Sequence, residues 1–143
     1  MSFSSCLFVV IGGALGTLAR YAISMAAVPY SQTLPWGTIG INILGSFIIG
    51  LFGALTLAHA RFPASENLRL FVMVGLCGGF TTFSSFSLQT LDLLRGGATL
   101  RAALNVGFSV AFCLIAVAAG QWAANYLNDS AKKIPPIVIR KDA

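Results

Sequence analysis

Four long apolar stretches account for most of this 143-residue chain, at residues 3–27, 36–60, 68–94 and 102–127. About 20 residues of α-helix cross a membrane core about 30 Å thick, so each stretch is long enough to span it. Only 9% of the residues are charged, which is too few for the surface of a water-soluble domain. The sequence predicts an all-α membrane protein with four transmembrane helices in residues 1–127, followed by a short mobile tail at 128–143.

The basic residues favour a bilayer over a nucleic acid as the partner of this chain. The formal net charge is +5, but the lysines and arginines are scattered over the ends of the apolar stretches and the tail, as is typical of membrane flanks. We do not expect the first stretch to be a signal peptide, because no basic residue precedes it. The three cysteines show no metal-ligand spacing, and we expect them to be small buried residues.

The third apolar stretch carries a pattern that predicts a broken helix. Gly75, Gly78 and Gly79 precede a cluster of hydroxyls and aromatics at 80–87. Each glycine costs a helix interior about 1 kcal/mol relative to alanine. Lipid offers no hydrogen-bond partner to freed backbone groups, so such a break must be buried in protein or line a wet cavity. Channels and transporters place ion sites at interruptions of this kind.

The second stretch carries one row of polar side chains. Thr38, Asn42 and Ser46 recur at intervals of four and so share a helix face. Hydrogen bonding between helices is the ordinary explanation for Thr38 and Ser46. We predict a functional role for Asn42, because its amide offers two N–H donors to an anion without a charge that would trap it.

Two further groups of residues are candidates for contact with an anion. Phe83 and Phe86 alternate with hydroxyls, and the positive edge of an aromatic ring can stabilise an anion. In the fourth stretch, one helix face carries a polar track that only Val117 interrupts, formed by Asn105, Ser109, Cys113, Gln121 and Asn125.

Arg20, near the end of the first stretch, has two interpretations that the sequence leaves open. A long basic side chain near a helix end can anchor the helix at the membrane interface. It can equally make a vestibule electropositive and concentrate anions there.

With these motifs in view, the sequence resembles the Fluc (CrcB) family of fluoride channels. The most specific segments are Gly-Thr-x-x-x-Asn at 37–42 and Gly-Gly-Phe-Thr-Thr-Phe-Ser-Ser-Phe-Ser at 78–87, and Gly-x-x-x-Arg-Tyr at 16–21 is weaker. The resemblance covers residues 3–126 and leaves out only the tail. Asn105 stands where the family often has tyrosine, and Cys113 stands where serine is expected.

The resemblance implies a passive channel in the bacterial inner membrane that exports fluoride and confers fluoride resistance. It also implies an antiparallel, dual-topology homodimer with two fluoride pathways and a central structural sodium ion. The residues that the resemblance assigns to the anion pathway are Asn42, Phe83, Phe86, Thr38, Ser109, Asn105 and Arg20. The residues whose backbone carbonyls it assigns to sodium are Gly78 and Thr81.

Other functional classes fit the residues less well. A small proton-coupled multidrug exporter with four helices is the main alternative, but it needs a titratable group inside the membrane. The carboxylates are Glu66, Asp92, Asp129 and Asp142, and none is central in a stretch. A non-transporting assembly subunit would not need a broken third helix. The sequence shows no acid/base or nucleophile constellation, so we predict that the chain is not an enzyme.

Overall fold

The computed structural model describes residues 2–57, 60 and 62–132, with the backbone alone for residues 130–132. All regular structure in these ranges is helical. The elements are α1 (Phe3–Ala27), a 3₁₀ turn (Val28–Tyr30), α2 (Trp36–Leu55), α3 (Glu66–Arg69), a π-helical segment (Leu70–Cys77), α4 (Gly78–Phe80), α5 (Phe83–Arg95) and α6 (Thr99–Lys132). The elements from Glu66 to Arg95 together form the third span.

The prediction of four membrane spans is confirmed. Helical stretches that are long and apolar enough to cross a membrane run over Phe3–Tyr30, Trp36–Leu55, Glu66–Arg95 and Thr99–Asp129. The second helix ends earlier than predicted, at Leu55 rather than residue 60. The last helix runs past the predicted end at residue 127 and continues to Lys132. The rest of the predicted tail, residues 133–143, lies outside the described residues.

The break in the third span is confirmed, but the glycines do not make it. Gly78 and Gly79 belong to α4, and the chain leaves helical geometry at Thr81 (φ −76°, ψ 158°) and Thr82 (φ −152°, ψ 109°). Thr82 then caps α5, because its Oγ1 accepts a hydrogen bond of 3.2 Å from the Ser85 N–H. The interruption therefore consists of two extended threonines between two helices.

Two of the three glycines in the third span, Gly75 and Gly79, serve packing against α1. A Cβ atom added to Gly79 would lie 2.5 Å from the Gly13 carbonyl oxygen, and one added to Gly75 would lie 2.9 Å from the Val9 carbonyl oxygen. Only glycine allows two helix backbones to approach this closely. The sequence interpretation counted the intrinsic cost of these residues and missed the contact that requires them.

Helices α2 and α6 make the most extensive contact in the described residues. The Trp36 and Phe108 rings stack at 6.2 Å, and further along both helices a Cβ on Gly50 would lie 2.5 Å from the Val117 carbonyl oxygen. From the first contact to the second, the residue numbers increase on both helices, so α2 and α6 run parallel. The polar row of α2 (Thr38, Asn42, Ser46) therefore runs beside the first part of the polar row of α6 (Asn105, Ser109, Cys113). Ser46 and Cys113 each lie one turn before this glycine contact.

Candidate functional site

The break is held from α2 by the side chain of Asn42. The Thr82 N–H donates to Asn42 Oδ1 at 2.8 Å, and Asn42 Nδ2 donates to the Thr82 carbonyl oxygen at 3.1 Å. Thr82 is 8% exposed, so its extended backbone would otherwise bury unpaired polar groups at a cost of about 1–3 kcal/mol each. Nδ2 carries two N–H groups, and the Thr82 contact uses one of them.

The same break is held from α1 by Arg20. Its Nε donates to the Gly79 carbonyl oxygen at 3.0 Å. In an uninterrupted α-helix that carbonyl would accept from the N–H of Phe83, but Phe83 begins the next helix beyond the break. Arg20 thus supplies the donor that the interruption removes, a role that neither sequence interpretation of this residue included.

The carbonyl groups of Gly78 and Thr81 lose their helical partners in the same rearrangement. In a regular α-helix they would accept from the N–H groups of Thr82 and Ser85. Those two N–H groups donate instead to Asn42 Oδ1 and Thr82 Oγ1. A side chain added to Gly78 would meet nothing within 4 Å in the described chain, so this part of the break faces outward.

Two cavities meet at Thr82, which lines both of them. The larger, of about 650 Å³, lies between α1, the connection at 28–35, α2 and α5. Its polar and charged lining includes Arg20, Thr38, Ser85, Gln89 and Asp92. We call it the vestibule cavity. Two of the predicted pathway residues, Arg20 and Thr38, are therefore brought together there.

The smaller cavity, of about 400 Å³, contains most of the other predicted residues. Asn42, Phe83, Phe86 and Ser109 all line it, and we call it the aromatic cavity. The Phe83 and Phe86 ring centroids lie 5.3 Å apart at an interplanar angle of 46°. Phe83 is 79% exposed in the single chain, so its ring stands at the open side of the cavity.

Asn105 is fully buried between α5 and α6 and is absent from both linings. Its Nδ2 donates to Thr90 Oγ1 at 2.8 Å, and Thr90 Oγ1 donates in turn to the Phe86 carbonyl oxygen at 2.7 Å. The structure thus places Asn105 behind the aromatic residues, where it supports α5.

Three buried polar atoms have no hydrogen-bond partner among the described residues: Gln89 Oε1, Asn105 Oδ1 and Ser109 Oγ. A buried polar atom without a partner costs about 1–3 kcal/mol, so such atoms point to water or to a ligand. Gln89 and Ser109 line the vestibule cavity and the aromatic cavity respectively.

Sequence reasoning missed two residues of this site, Gln89 and Thr82. Gln89 is visible in the sequence as an amide shortly after the hydroxyl cluster. For Thr82 the sequence carries no separate signal, because its role depends on its backbone and on a partner 40 positions away.

Comparison with known proteins decides the family. The family model described as "CrcB-like protein, Camphor Resistance (CrcB)" matches residues 7–121. This chain belongs to the CrcB family. Among CrcB relatives, a protein of Methylobacterium radiotolerans is 63% identical over 142 residues, covering 99% of each chain. A protein of Gluconobacter oxydans is 60% identical over 144 residues, covering 100% of each chain. A protein of Methylocella silvestris is 54% identical over 123 residues, covering 85% of this chain and 94% of its own. All three are named "Fluoride-specific ion channel FluC".

Proposed function

We propose that this CrcB family member is a passive, fluoride-selective channel that lets a bacterial cell lose fluoride across its inner membrane and so resist fluoride. The observation that carries the proposal is the near full-length similarity to proteins named fluoride-specific ion channels. The geometry supports it, because two cavities meet at a helix break that two side chains hold in place.

The lining of the aromatic cavity suits a small anion. Among its described residues it offers amide, hydroxyl, thiol and aromatic groups, and no charged side chain. The second N–H of Asn42 and the unpartnered hydroxyl of Ser109 can donate to an anion, and the ring edges of Phe83 and Phe86 carry positive potential. Neutral donors replace part of the hydration shell without binding the ion so strongly that it cannot leave.

The proposed channel is an antiparallel homodimer with both orientations present in the membrane. Phe83 is 79% exposed and Gly78 faces outward, so the single chain leaves one side of the aromatic cavity open. A two-fold axis would bring the same surface of a second copy against it and would produce two equivalent pathways.

A structural sodium ion on the two-fold axis is part of the proposal. The chain fits such an ion, because the carbonyl oxygens of Gly78 and Thr81 have lost their helical N–H partners to side chains. Two copies would supply four oxygens, and converging backbone carbonyls can replace the hydration shell of a small cation. Its charge would favour anions in the adjacent pathways.

A proton-coupled exporter is the less favoured function. Glu66 is the first residue of α3, Asp92 lies in the last turn of α5, and Asp129 lies near the end of α6. The described carboxylates thus lie at span ends rather than at the middle of the membrane, where proton coupling would need one. Asp142 lies outside the described residues.

The function is tested with purified protein in liposomes loaded with fluoride and monitored with a fluoride electrode. We expect rapid fluoride efflux once a potassium ionophore relieves the electrical potential, with no requirement for a pH gradient. Liposomes loaded with chloride serve as the matched control and should show no comparable efflux. Fluoride flux that stops when the pH gradient is removed would instead support a proton-coupled exporter.

A further inference from the structure

Two of the three cysteines line the aromatic cavity. Cys77, which is 3% exposed, ends the π-helical segment, and Cys113 lies on α6 one turn beyond Ser109. Both thiols are free. The sequence predicted small buried residues at these positions, which holds for Cys77, whereas Cys113 is partly exposed in the single chain. The structure adds that the two cysteines belong to different spans that line the same cavity. The thioether of Met73 lines that space as well.

Neighbouring contacts bring the two cysteines toward the same part of α2. Cys77 and Thr81 share a helix face, with Thr81 Oγ1 donating to the Cys77 carbonyl oxygen at 2.9 Å. A Cβ on Gly45 would collide with the Thr81 side chain, so this face meets α2 at Gly45. Cys113 and Ser46 both line the aromatic cavity, and each lies one turn before the contact between Val117 and Gly50. The two cysteines thus belong to the two spans that pack against this part of α2 and line one cavity with it.

We propose that the aromatic cavity binds a soft, thiophilic cation of the mercuric class between Cys77 and Cys113, and that the bound ion closes the anion pathway. Soft cations prefer sulfur ligands, whereas magnesium and calcium require oxygen ligands. A structural zinc site takes four ligands, and the described lining of this cavity offers no imidazole or carboxylate to complete that set.

Charge balance favours a divalent soft ion in this place. When Hg²⁺ meets two thiols, two Hg–S bonds form, two S–H bonds break, and both protons pass to water with no change in oxidation state. The product carries no net charge. Burial of a net charge in an apolar environment is expensive, so a neutral bis-thiolate complex suits a cavity whose remaining walls include Ile49, Val110 and the two phenylalanines.

A mercuric ion bound at this site would block fluoride transport because of where it lies. Asn42, Phe83, Phe86 and Ser109 line the same cavity as the two thiols. An ion held there would occupy the space through which the anion passes and would also displace its hydrogen-bond donors. The effect on flux rests on the proposed function, whereas the binding of the ion does not.

The experiment compares four full-length proteins in chloride-free buffer. The reference carries Cys6→Ser alone, and the other three add to it Cys113→Ser, Cys77→Ala or both substitutions. Cys6 lies on α1 away from this lining, so its replacement removes the one competing thiol and serves as the control. Mercuric binding is read from the ultraviolet absorbance of the Hg–S bonds. Fluoride efflux is read from liposomes and expressed relative to each variant's own mercury-free flux.

We expect the reference to bind one mercuric ion per chain and to lose its fluoride efflux when that ion binds. Two linked ligands bind an ion about 100-fold or more tightly than one ligand does. Loss of either thiol should therefore raise the mercury concentration that halves fluoride efflux by about 100-fold or more. The Cys113→Ser result decides the proposal even if Cys77→Ala does not fold.

Two mercuric ions per chain, with each single variant retaining one, would overturn the shared site. An unchanged half-blocking concentration in Cys113→Ser would do the same. If ion binding requires both thiols but leaves efflux intact, the proposed closure is wrong. If the mercury-free protein carries no fluoride, the proposed function fails, and the absorbance titration still decides the metal site.

Discussion

Asn42 pairs with Thr82 through both ends of its side-chain amide, at 2.8 Å to the Thr82 N–H and 3.1 Å to the Thr82 carbonyl oxygen. A side-chain amide has the same donor and acceptor as a peptide group, so α2 supplies the partner that the broken helix lacks. The residue predicted to contact the anion therefore also holds the backbone at which the two cavities meet. Substitutions at Asn42 must be designed to separate these two roles.

Asn42→Asp should abolish fluoride flux. The carboxylate still accepts from the Thr82 N–H, but it repels an anion 4 Å away by about 4 kcal/mol at an effective dielectric constant of 20, which corresponds to about a thousandfold lower flux. Asn42→Ala is the matched control, since it loses both hydrogen bonds without adding charge and should cost about 2 kcal/mol of stability. Efflux from liposomes and thermal unfolding in detergent measure the two effects. Wild-type flux in a monodisperse Asn42→Asp protein would contradict the pathway role.

Arg20→Met should weaken the break, because the Gly79 carbonyl loses its charged donor at a cost of about 1.5–3 kcal/mol. Arg101→Met is the control, since Arg101 is exposed on α6. Flux measured at low and high ionic strength separates the two functions of Arg20. An effect of vestibule charge is screened by salt, whereas an effect of the hydrogen bond persists. If unfolding temperatures of the two variants agree, the contact with Gly79 contributes nothing to stability.

Phe83→Ile and Phe86→Ile should reduce flux more than stability. Isoleucine keeps a similar apolar volume but lacks the positive ring edge, which is worth about 1 kcal/mol, or about fivefold in rate, for each ring. Phe3→Ile is the control, because Phe3 is 85% exposed at the start of α1. Normal conduction by both cavity variants would leave the phenylalanines with a packing role only.

Replacement of all sodium by a large organic cation should weaken flux or the dimer. The expected site uses the carbonyl oxygens of Gly78 and Thr81, and a large cation would be too big for converging carbonyls to replace its hydration shell. Potassium serves as the intermediate control, with the same charge and a larger radius. Dimer content by light scattering and efflux are measured together. Unchanged behaviour at vanishing sodium would exclude a required ion.

Reporter fusions at the C-terminus should give signal from both sides of the membrane. Orientation follows the lysines and arginines of short loops, and here Arg61 and Arg69 on one side balance Arg95 and Arg101 on the other. Flanking residues add to both sides: Arg20 to the second, and Lys132, Lys133, Arg140 and Lys141 to the first. The double variant Arg95→Gln, Arg101→Gln should fix one orientation. Signal from one compartment only in the unmodified chain would contradict dual topology.

The sequence predicted those features that depend on local pattern. The bounds of α1 agree with the first apolar stretch, at Phe3–Ala27. The rows on α2 and α6 follow from helical spacing, because a spacing of four residues fixes a helix face whatever the surroundings. The structure adds that Asn42, Phe83, Phe86 and Ser109 line one cavity, and their role in an anion pathway stays a prediction.

The position of the break could not be predicted in the same way. It depends on Asn42 and Arg20, which reach Thr82 and Gly79 from 40 and 59 positions away. The sequence interpretation took the glycines as a sign of the break because glycine destabilises a helix. In the structure, Gly75 and Gly79 are instead needed for the close approach of α1. Contacts between segments far apart in the sequence determine both the position of the break and the need for these glycines. A single sequence carries no direct signal for such contacts.

The π-helical segment Leu70–Cys77 sets where the length of this chain can change. In a π-helix each N–H bonds five residues back instead of four, so the segment holds more residues for each turn than an α-helix does. Deletion of one residue would let the segment close toward an α-helix while the turns on either side stay near their present register. The same deletion within α1 has no extra residue to absorb it and would rotate one end of that helix relative to the other by about 100°. Deletion of a single residue should therefore be tolerated better within Leu70–Cys77 than within α1.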